Sequence, residues 1–275
     1  MIRPALCLVG AAGLLEVNRA MGYVSPTPLV AGVLMYLVRF ISRKTERPEN
    51  GELRGEVILT PRGEVPLSQV RLLAPCTPTK ILCVGRNYVA HAQELGNEVP
   101  TRPLLFFKPP SSVIGPEEEI VLPPSSLVHY EAELAVVIGR RCRNVPAAEA
   151  MDVILGYTCL NDISDREEQK WEKNWVRAKG FDTAAPIGPV IVTRDEIDGP
   201  FHIMLRVNGE TKQDGSTRDL IFPIPVLIEE ISSYMTLEPG DVIATGTPAG
   251  VGPLFAGDIV EVEIDGIGIL QNPVR

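Results

Sequence analysis

Three carboxylates in this chain stand where they could act together. Glu131 and Glu133 lie in the apolar run 130–138, which predicts a buried strand because it is rich in aliphatic and β-branched residues. Residues two apart in a strand point to the same face, so the two side chains project together. Asp162 follows another apolar segment, where a strand gives way to a loop. Buried carboxylates need a counter-charge, and oxygen ligands without cysteine or histidine among them favour Mg²⁺ or Mn²⁺ over Zn²⁺.

An alternative interpretation places both glutamates on the wet face of a half-exposed antiparallel strand. Leu134, Val136 and Ile138 would then point inward. Alanine and valine, not further polar residues, share the face of the glutamates at Ala135 and Val137. That neighbourhood favours the buried arrangement.

A histidine and a glutamate three residues apart form a second candidate cluster. His91 and Glu94 follow the apolar segment 81–84 at the start of a predicted short helix, where this spacing puts them on one face. A carboxylate fixes the tautomer of a neighbouring imidazole and raises its basicity, so the pair could act as a general base near neutral pH. Such pairs also occur incidentally on helix surfaces, and this pair predicts little by itself.

Polar residues continue beyond Asp162. Gln169 and Lys179 could offer a hydrogen-bond donor and a cation to an anionic, oxygen-rich ligand. A solvated amphipathic helix with a charged face is the alternative interpretation. Their closeness in sequence to Asp162 makes the functional interpretation plausible.

The segment 245–252 is rich in glycine and follows a predicted strand. Such loops expose backbone N–H groups to anions. It is neither a phosphate-binding P-loop, because no Gly-Lys-Ser/Thr follows, nor a dinucleotide fingerprint. A turn-forming linker is the alternative.

The elements that must position these residues are mostly short strands separated by proline and glycine. The predicted strands from residue 80 onward are Ile81–Val84, Leu104–Lys108, Ile120–Leu122, Glu133–Ile138, Pro189–Val192, Ile203–Val207, Val242–Ala244 and Ile259–Ile264. Such a mixture indicates an α+β protein with a mixed or antiparallel sheet. We expect an extension over residues 1–34, a small N-terminal β module over 35–75, and a catalytic domain over 76–275. The predicted helices are few: Val89–Leu95, Ala147–Val153, Arg166–Trp175 and Val226–Ser233.

The composition excludes several classes of partner. A net charge of -9 over 275 residues argues against nucleic acid and anionic membranes. Five cysteines without a Cys-x-x-Cys pair fit buried thiols in a reducing cytoplasm. The apolar stretch 4–15 resembles a short signal segment but lacks a small-x-small cleavage site, and the stretch 29–38 is too short to span a bilayer. We therefore expect a cytoplasmic protein.

Taken together, the motifs resemble the fumarylacetoacetate hydrolase family from about residue 80 to the end. Its acylpyruvase-like and 2-hydroxyhepta-2,4-diene-1,7-dioate isomerase-like members are the most similar in pattern. The matching segments, in chain order, are Gly85-Arg86-Asn87-Tyr88 with His91 and Glu94, Phe107-Lys108-Pro109, Tyr130-Glu131-Ala132-Glu133-Leu134, Asn161-Asp162 with Arg166 and Gln169, Lys179-Gly180-Phe181-Asp182, Val207-Asn208-Gly209, and Thr245-Gly246-Thr247-Pro248-Ala249-Gly250-Val251-Gly252.

The resemblance implies a mixed β-roll/barrel fold, a homodimer and a bound Mg²⁺ or Mn²⁺. It implies the following roles: Glu131, Glu133 and Asp162 as metal ligands; Lys179 and Gln169 as catalytic residues; His91 with Glu94 as a water-activating pair on a lid; and Arg86, Arg166, Lys108 and Thr247 as substrate contacts. Asp165 stands where we expect a small residue, and it bears on substrate preference.

The implied reaction is hydrolysis of a carbon–carbon bond in a 2,4-diketo acid, giving pyruvate and a carboxylic acid. In this hypothesis His91 takes a proton from water, Gln169 stabilises the tetrahedral oxyanion, and Lys179 holds the developing enolate charge. The alternatives are an isomerase/decarboxylase of 2-hydroxy-diene-1,7-dioates in aromatic catabolism, or an oxaloacetate decarboxylase. A catalytically silent, metal-binding member is a further alternative, against which the presence of His91, Glu94 and Lys179 argues.

Overall fold

Short apolar runs interrupted by proline and glycine make this chain a protein of strands, as its sequence predicts. The structure is a computed structural model that describes residues 35–43, 46–125 and 127–275. The extension predicted over residues 1–34 lies outside the described residues. No helix in the described ranges has the length and apolar character needed to cross a membrane.

The strands of the described residues, in chain order, are β1 Tyr36–Ser42, β2 Pro48–Arg54, β3 Val57–Thr60, β4 Gly63–Pro66, β5 Val70–Leu73, β6 Ile81–Gly85, β7 Leu104–Lys108, β8 Val113–Ile114, β9 Val128–Tyr130, β10 Ala132–Ile138, β11 Ile154–Asn161, β12 Ser164–Asp165, β13 Ala185–Thr193, β14 His202–Val207, β15 Glu210–Ser216, β16 Val242–Ala244, β17 Gly252–Pro253, β18 Ile259–Ile264 and β19 Gly268–Pro273. The α-helices are α1 Val89–Glu94, α2 Arg166–Trp171, α3 Val176–Lys179 and α4 Ile224–Tyr234. Short 3₁₀ helices cover Leu67–Gln69, Pro110–Ser112, Ala147–Val153 and Thr217–Asp219.

Twelve of these strands form one mixed sheet. Its order is β4-β3-β2-β1-β13-β11-β10-β16-β6-β7, with β5 paired to β1 and β8 paired to β13. The predicted N-terminal module is β1 to β5, and it joins the rest of the sheet because β1 pairs with β13. Among the described residues this sheet keeps two open ends, so the α+β prediction is confirmed but no closed barrel forms.

The register at the centre of this sheet brings the predicted carboxylates together. Ala132 at the start of β10 lies opposite Asn161 at the end of β11. Glu131 precedes the one strand and Asp162 follows the other, so the two residues are neighbours in space. The Asp162 amide donates a hydrogen bond to the Glu131 carbonyl at 2.8 Å.

Both faces of β10 are covered by apolar residues. Leu134, Val136 and Ile138 belong to one hydrophobic cluster, while Ala135 and Val137 belong to another on the opposite face. A second sheet, in the order β15-β14-β18-β19, packs against β10, β11 and β13. The wet-face interpretation of the two glutamates is therefore wrong.

Several element boundaries differ from the sequence prediction. Glu131 lies between β9 and β10, where the small sheet β12-β9-β17 meets the large one. The helix predicted over Arg166–Trp175 is shorter in the structure, because α2 ends at Trp171 where Glu172 takes an extended backbone, and α3 begins only after Trp175, which has φ +55°. Ala147–Val153 is a 3₁₀ helix. Ile120 forms only an isolated bridge to Val274 instead of a strand.

Candidate active site

The three predicted metal ligands converge in the structure. Glu131, Glu133 and Asp162 each offer a carboxylate oxygen, and these oxygens lie within 4.8 Å of one another. All three side chains are buried. The pairing of β10 with β11 creates this cluster, since it aligns the beginning of one strand with the end of the other.

Two cations neutralise one side of the cluster. The Lys179 Nζ lies 2.8 Å from Glu131 Oε2 and 2.8 Å from Asp162 Oδ2. The Arg166 Nη2 lies 2.5 Å from Glu131 Oε1. Burial pushes the pKa of the Glu131 carboxyl upward, but Lys179 and Arg166 more than offset it and hold that pKa well below its usual range. Glu131 is therefore a permanent anion.

Among the residues that the structure describes, Glu133 has no such cation. Burial and the repulsion of Asp162 and Glu131 raise its pKa well above the usual range. Its Oε2 accepts one hydrogen bond, from the Gly246 amide at 2.8 Å. A Cβ at Gly246 would lie 2.7 Å from the Asn87 Cβ, and the residue has φ +99°, so only glycine fits there without strain.

Lys108 lies behind Asp162 rather than on the cavity wall. Its Nζ donates to the carbonyls of Ile163, Lys179 and Ala184 at 3.1, 2.6 and 2.7 Å. These bonds use its three hydrogens, so Asp162 Oδ1, which lies 2.7 Å from the Nζ, receives charge but no hydrogen bond. Its contact with substrate stays a prediction, and in the structure the buried Lys108 ammonium lies against Asp162.

These features fit a hard divalent cation. Asp162 Oδ1 is a buried oxygen without a hydrogen-bond donor, and Glu133 is a buried carboxylate whose ionisation its surroundings oppose. A divalent cation would satisfy both. The donor set is entirely carboxylate oxygen, which suits Mg²⁺ and Mn²⁺.

The predicted general-base pair lies beside this cluster. His91 is buried on α1, and its Nδ1 is 3.2 Å from Glu94 Oε2. The other oxygen of Glu94 accepts from the Gly250 amide at 3.0 Å. The glycine-rich loop therefore fixes the carboxylate, and the carboxylate fixes the ring.

A cavity of about 400 Å³ contains most of the predicted site residues. His91, the three metal-ligand candidates and Lys179 share its wall with the residues predicted to bind substrate, except Lys108. The full lining is Val84, Gly85, Arg86, His91, Leu95, Asn97, Phe106, Leu127, His129, Glu131, Glu133, Asp162, Arg166, Gln169, Lys170, Trp175, Lys179 and Thr247.

Two residues on this wall are held by other protein groups. Arg166 donates from its Nη1 to Gln169 Oε1 at 2.8 Å. This bond leaves the Gln169 amide nitrogen as the free donor of that side chain. Thr247 is buried, and its hydroxyl accepts from the Gln213 amide at 2.8 Å.

His129 is a cavity residue that the sequence analysis missed. It is half-buried on β9, and burial together with the nearby Arg166 lowers its pKa to about 4. The ring is therefore neutral at physiological pH. The signal was present in the sequence, because His129, Glu131 and Glu133 follow the same two-residue period.

Asp165, which departs from the expected pattern, has a structural role. Its carboxylate accepts from the amides of Glu167 and Glu168 at 3.0 and 3.2 Å, so it is the N-cap of α2. That helix carries Arg166 and Gln169. Ser125 donates to the same carboxylate at 2.9 Å.

Comparison with known proteins gives consistent matches. The family model described as fumarylacetoacetate hydrolase, C-terminal, matches residues 80–275. Among curated relatives, the human mitochondrial oxaloacetate tautomerase FAHD2A is 44% identical over 223 residues, which are 76% of this chain and 71% of that protein.

Two solved structures are similar over most of the chain. One is a 5-carboxymethyl-2-hydroxymuconate delta-isomerase from Mycobacterium smegmatis, with 42% identity and a TM-score of 0.81, covering 87% of this chain and 99% of that one. The other is a maleylpyruvate hydrolase from Sphingobium sp. SYK-6, with 34% identity and a TM-score of 0.74, again covering 87% and 99%. Tautomerase, isomerase and hydrolase activities all occur among these relatives.

Proposed function

The chain belongs to the fumarylacetoacetate hydrolase family and is an enzyme, and from that premise we propose that it moves a proton within a dicarboxylic 2-oxo acid, as a divalent-metal-dependent tautomerase or isomerase. One observation carries the proposal: a histidine held by a carboxylate shares one cavity with a carboxylate triad and a buried lysine. A base and a concentration of positive charge are what removal of a proton beside a 2-oxo group requires.

Glu131, Glu133 and Asp162 would hold the metal. A bound Mg²⁺ or Mn²⁺ would polarise the 2-oxo group and make the hydrogens on the adjacent carbon more acidic. The choice of Mg²⁺ or Mn²⁺ over softer cations is also part of the proposal, and it follows from the all-carboxylate donor set.

Lys179 would stabilise the negative charge that develops on the 2-oxo oxygen. Burial lowers the pKa of its ammonium, but the two carboxylates of Asp162 and Glu131 together raise that pKa by more than burial lowers it. The net shift is upward, so the group stays protonated. Its Nζ also lies 5.1 Å from the centre of the Phe106 ring. These neighbours hold the charge at a fixed place, where it needs no reorganisation during the reaction.

His91 would transfer the proton. Because its Nδ1 bonds to Glu94, the neutral ring carries its proton on that nitrogen and leaves Nε2 as the acceptor. His91 lines the cavity, and the Gly250 amide holds the Glu94 carboxylate that orients it.

The charge of the cavity favours a substrate with two carboxylates. Lys108, Lys179 and Arg166 equal the three acidic side chains in number, although none of the three forms an ion pair with Glu133 in the described residues, so a bound divalent metal would leave the site with net positive charge for the substrate. Arg86 and Lys170 also line the cavity, and within the described residues neither forms an ion pair. Oxaloacetate, which the human relative is named for, is a dicarboxylic 2-oxo acid.

Hydrolysis of a carbon–carbon bond is the second candidate, and Gln169 favours it. Arg166 holds the Gln169 oxygen, so the amide N–H₂ is the group free to act as a donor. A donor of this kind suits a tetrahedral oxyanion, which forms in hydrolysis and not in tautomerisation. In that reaction His91 would take its proton from water.

One panel of assays separates these candidates. The purified protein with Mg²⁺ is assayed separately on two substrates. With enol oxaloacetate, the reaction is monitored by the loss of enol absorbance. With acetylpyruvate, it is monitored by the release of pyruvate. We expect fast, EDTA-sensitive ketonisation of oxaloacetate. Pyruvate release from acetylpyruvate at a greater kcat/KM would favour the hydrolase instead, and pyruvate with CO₂ from oxaloacetate would favour the decarboxylase. Activity on none of these acids would overturn the proposal.

A further inference from the structure

Gln213 belongs to a different sheet from the metal-binding strand, yet its side chain reaches that strand. It lies on β15 and is 1% exposed. Its Oε1 accepts from the Ala132 amide at 2.9 Å, while its Nε2 donates to the Thr247 hydroxyl and the Pro248 carbonyl, each at 2.8 Å. The carboxamide therefore uses both of its atoms within the protein.

The bond to Ala132 falls between two of the metal-ligand candidates. Ala132 is the residue that separates Glu131 from Glu133, and the ladder from β10 to β16 begins only at Ala135. Gln213 thus supplies the acceptor that a neighbouring strand would supply elsewhere. The preceding amide, of Glu131, is bound in the same way by the Asn161 side chain at 3.0 Å.

The bonds from Gln213 to Thr247 and Pro248 attach the glycine-rich loop to β15. β15 and the loop approach each other closely at two further places. A Cβ at Gly215 would lie 2.6 Å from Pro248 Cβ, and a Cβ at Gly250 would lie 2.2 Å from the Lys212 carbonyl oxygen. Gly250 in turn donates to Glu94. The loop held by Gln213 therefore continues to the general-base pair.

We propose that Gln213 is a positioning residue that sets the distance between the metal-binding carboxylates and the loop carrying Thr247. The inference rests on the proposed function for its account of turnover, but its effect on metal binding is independent of the substrate. Gln213 touches no reacting group; it acts through Ala132 and Thr247. Loss of its side chain would loosen the ligand pair and the loop together.

The test uses binding of Mn²⁺ alone, measured from the electron paramagnetic resonance signal of the free ion. Gln213→Met keeps the length of the side chain and removes all three hydrogen bonds. We expect it to weaken Mn²⁺ binding by about tenfold or more, as found when groups supporting metal ligands are removed. Thr247→Val, which removes one of the two loop contacts and leaves the bond to Ala132, should keep wild-type Mn²⁺ affinity and raise KM.

Asn272→Leu is the matched control. Asn272 is also a 1% exposed amide, and it donates to the carbonyls of Gly115 and Glu118, away from the cavity. The Asn272→Leu protein should have a lower melting temperature than wild type, as we also expect for Gln213→Met, but it should retain wild-type Mn²⁺ affinity. Unchanged affinity in Gln213→Met, or equal losses in both variants, would overturn the inference alone. A wild-type protein that bound no Mn²⁺ would overturn the proposed function as well.

Discussion

At the scale of single residues, the buried carboxylates have unequal partners. Glu131 and Asp162 contact lysine or arginine, whereas Glu133 accepts only the Gly246 amide within the described part of the chain and faces two like charges. Glu133 is thus the member of the triad whose charge the protein itself does least to neutralise. Its function in the proposed site depends on the metal.

We predict that Glu133→Gln separates metal binding from folding. The substitution keeps the shape and removes a buried, repelled charge, so the metal-free protein should melt no lower than wild type. Because one of three anionic ligands is gone, the rise in melting temperature that Mg²⁺ gives wild type should largely disappear. Thermal melts of both proteins with EDTA and with Mg²⁺ measure this. An equal Mg²⁺ shift in both would remove Glu133 from the metal site.

The sequence could predict the triad because the information is local. Glu131 and Glu133 are two residues apart in an apolar run, and Asp162 directly follows another apolar run; both patterns can be seen in the chain. The environment of Lys108 could not be predicted, since its carbonyl partners at Ile163 and Ala184 are more than fifty residues away. Gln213 was missed for the same reason, because its contacts join two sheets.

At the scale of elements, the glycine-rich loop connects the general base, the carboxylate triad and β15. Gly246 donates to Glu133, Thr247 binds Gln213, and Gly250 donates to Glu94. The sequence alone predicts either a loop that binds anions through its backbone amides or a turn-forming linker. In the structure its amides do bind anions, but these are side chains of the protein.

We predict that Gly246→Ala is much more damaging than Gly257→Ala. The two glycines have nearly the same backbone, φ +99° and +96°, but a Cβ at Gly257 meets nothing within 4 Å while one at Gly246 meets Asn87. Gly257→Ala should cost about 1 kcal/mol, the cost of a left-handed alanine. Gly246→Ala should cost more and also weaken Mg²⁺ binding through Glu133. Urea unfolding and titration of both variants test this; equal costs would mean that the loop tolerates displacement.

Helix boundaries were predicted less well than strands. The strands at 81–84, 104–108, 242–244 and 259–264 are confirmed to within a residue. The helix predicted over 166–175 was wrong, because α2 ends at Trp171 and the chain takes a left-handed turn at Trp175 before α3. The Trp175 ring then packs against Phe106 at 5.3 Å between centroids, a contact that local propensity does not reveal.

At the scale of the whole molecule, the predicted module over residues 35–75 and the larger part share one sheet. β1 pairs with β2 along one edge, and along its other edge residues 36–37 pair with β13 and residues 39–42 with β5. The domain boundary near residue 75 remains a prediction, as do the homodimer and the cytoplasmic location. Pairing between strands that are distant in the chain determines the sheet order, so the open ends of the sheet cannot be predicted from local sequence patterns.

We predict that a chain starting at Met35 folds and turns over like the full chain. It retains β1, which begins at Tyr36, and all of that strand's pairing partners in the described residues. A chain starting at Arg43 lacks β1 and should lose most of its thermal stability. Differential scanning calorimetry of both proteins is the measurement. A large loss in the chain starting at Met35 would show that residues 1–34 belong to the folded unit.

In the proposed reaction His91 moves a proton beside a 2-oxo group that the carboxylate site activates. The most direct test of this role is the rate at which deuterium from D₂O is incorporated at C3 of oxaloacetate. NMR measures this rate, and the uncatalysed rate is subtracted. We predict Mg²⁺-dependent incorporation by wild type, loss with EDTA, and a decrease of about 10²–10⁴-fold in His91→Asn, the usual contribution of a positioned general base. Incorporation by His91→Asn at the wild-type rate, with metal binding intact, would contradict the account.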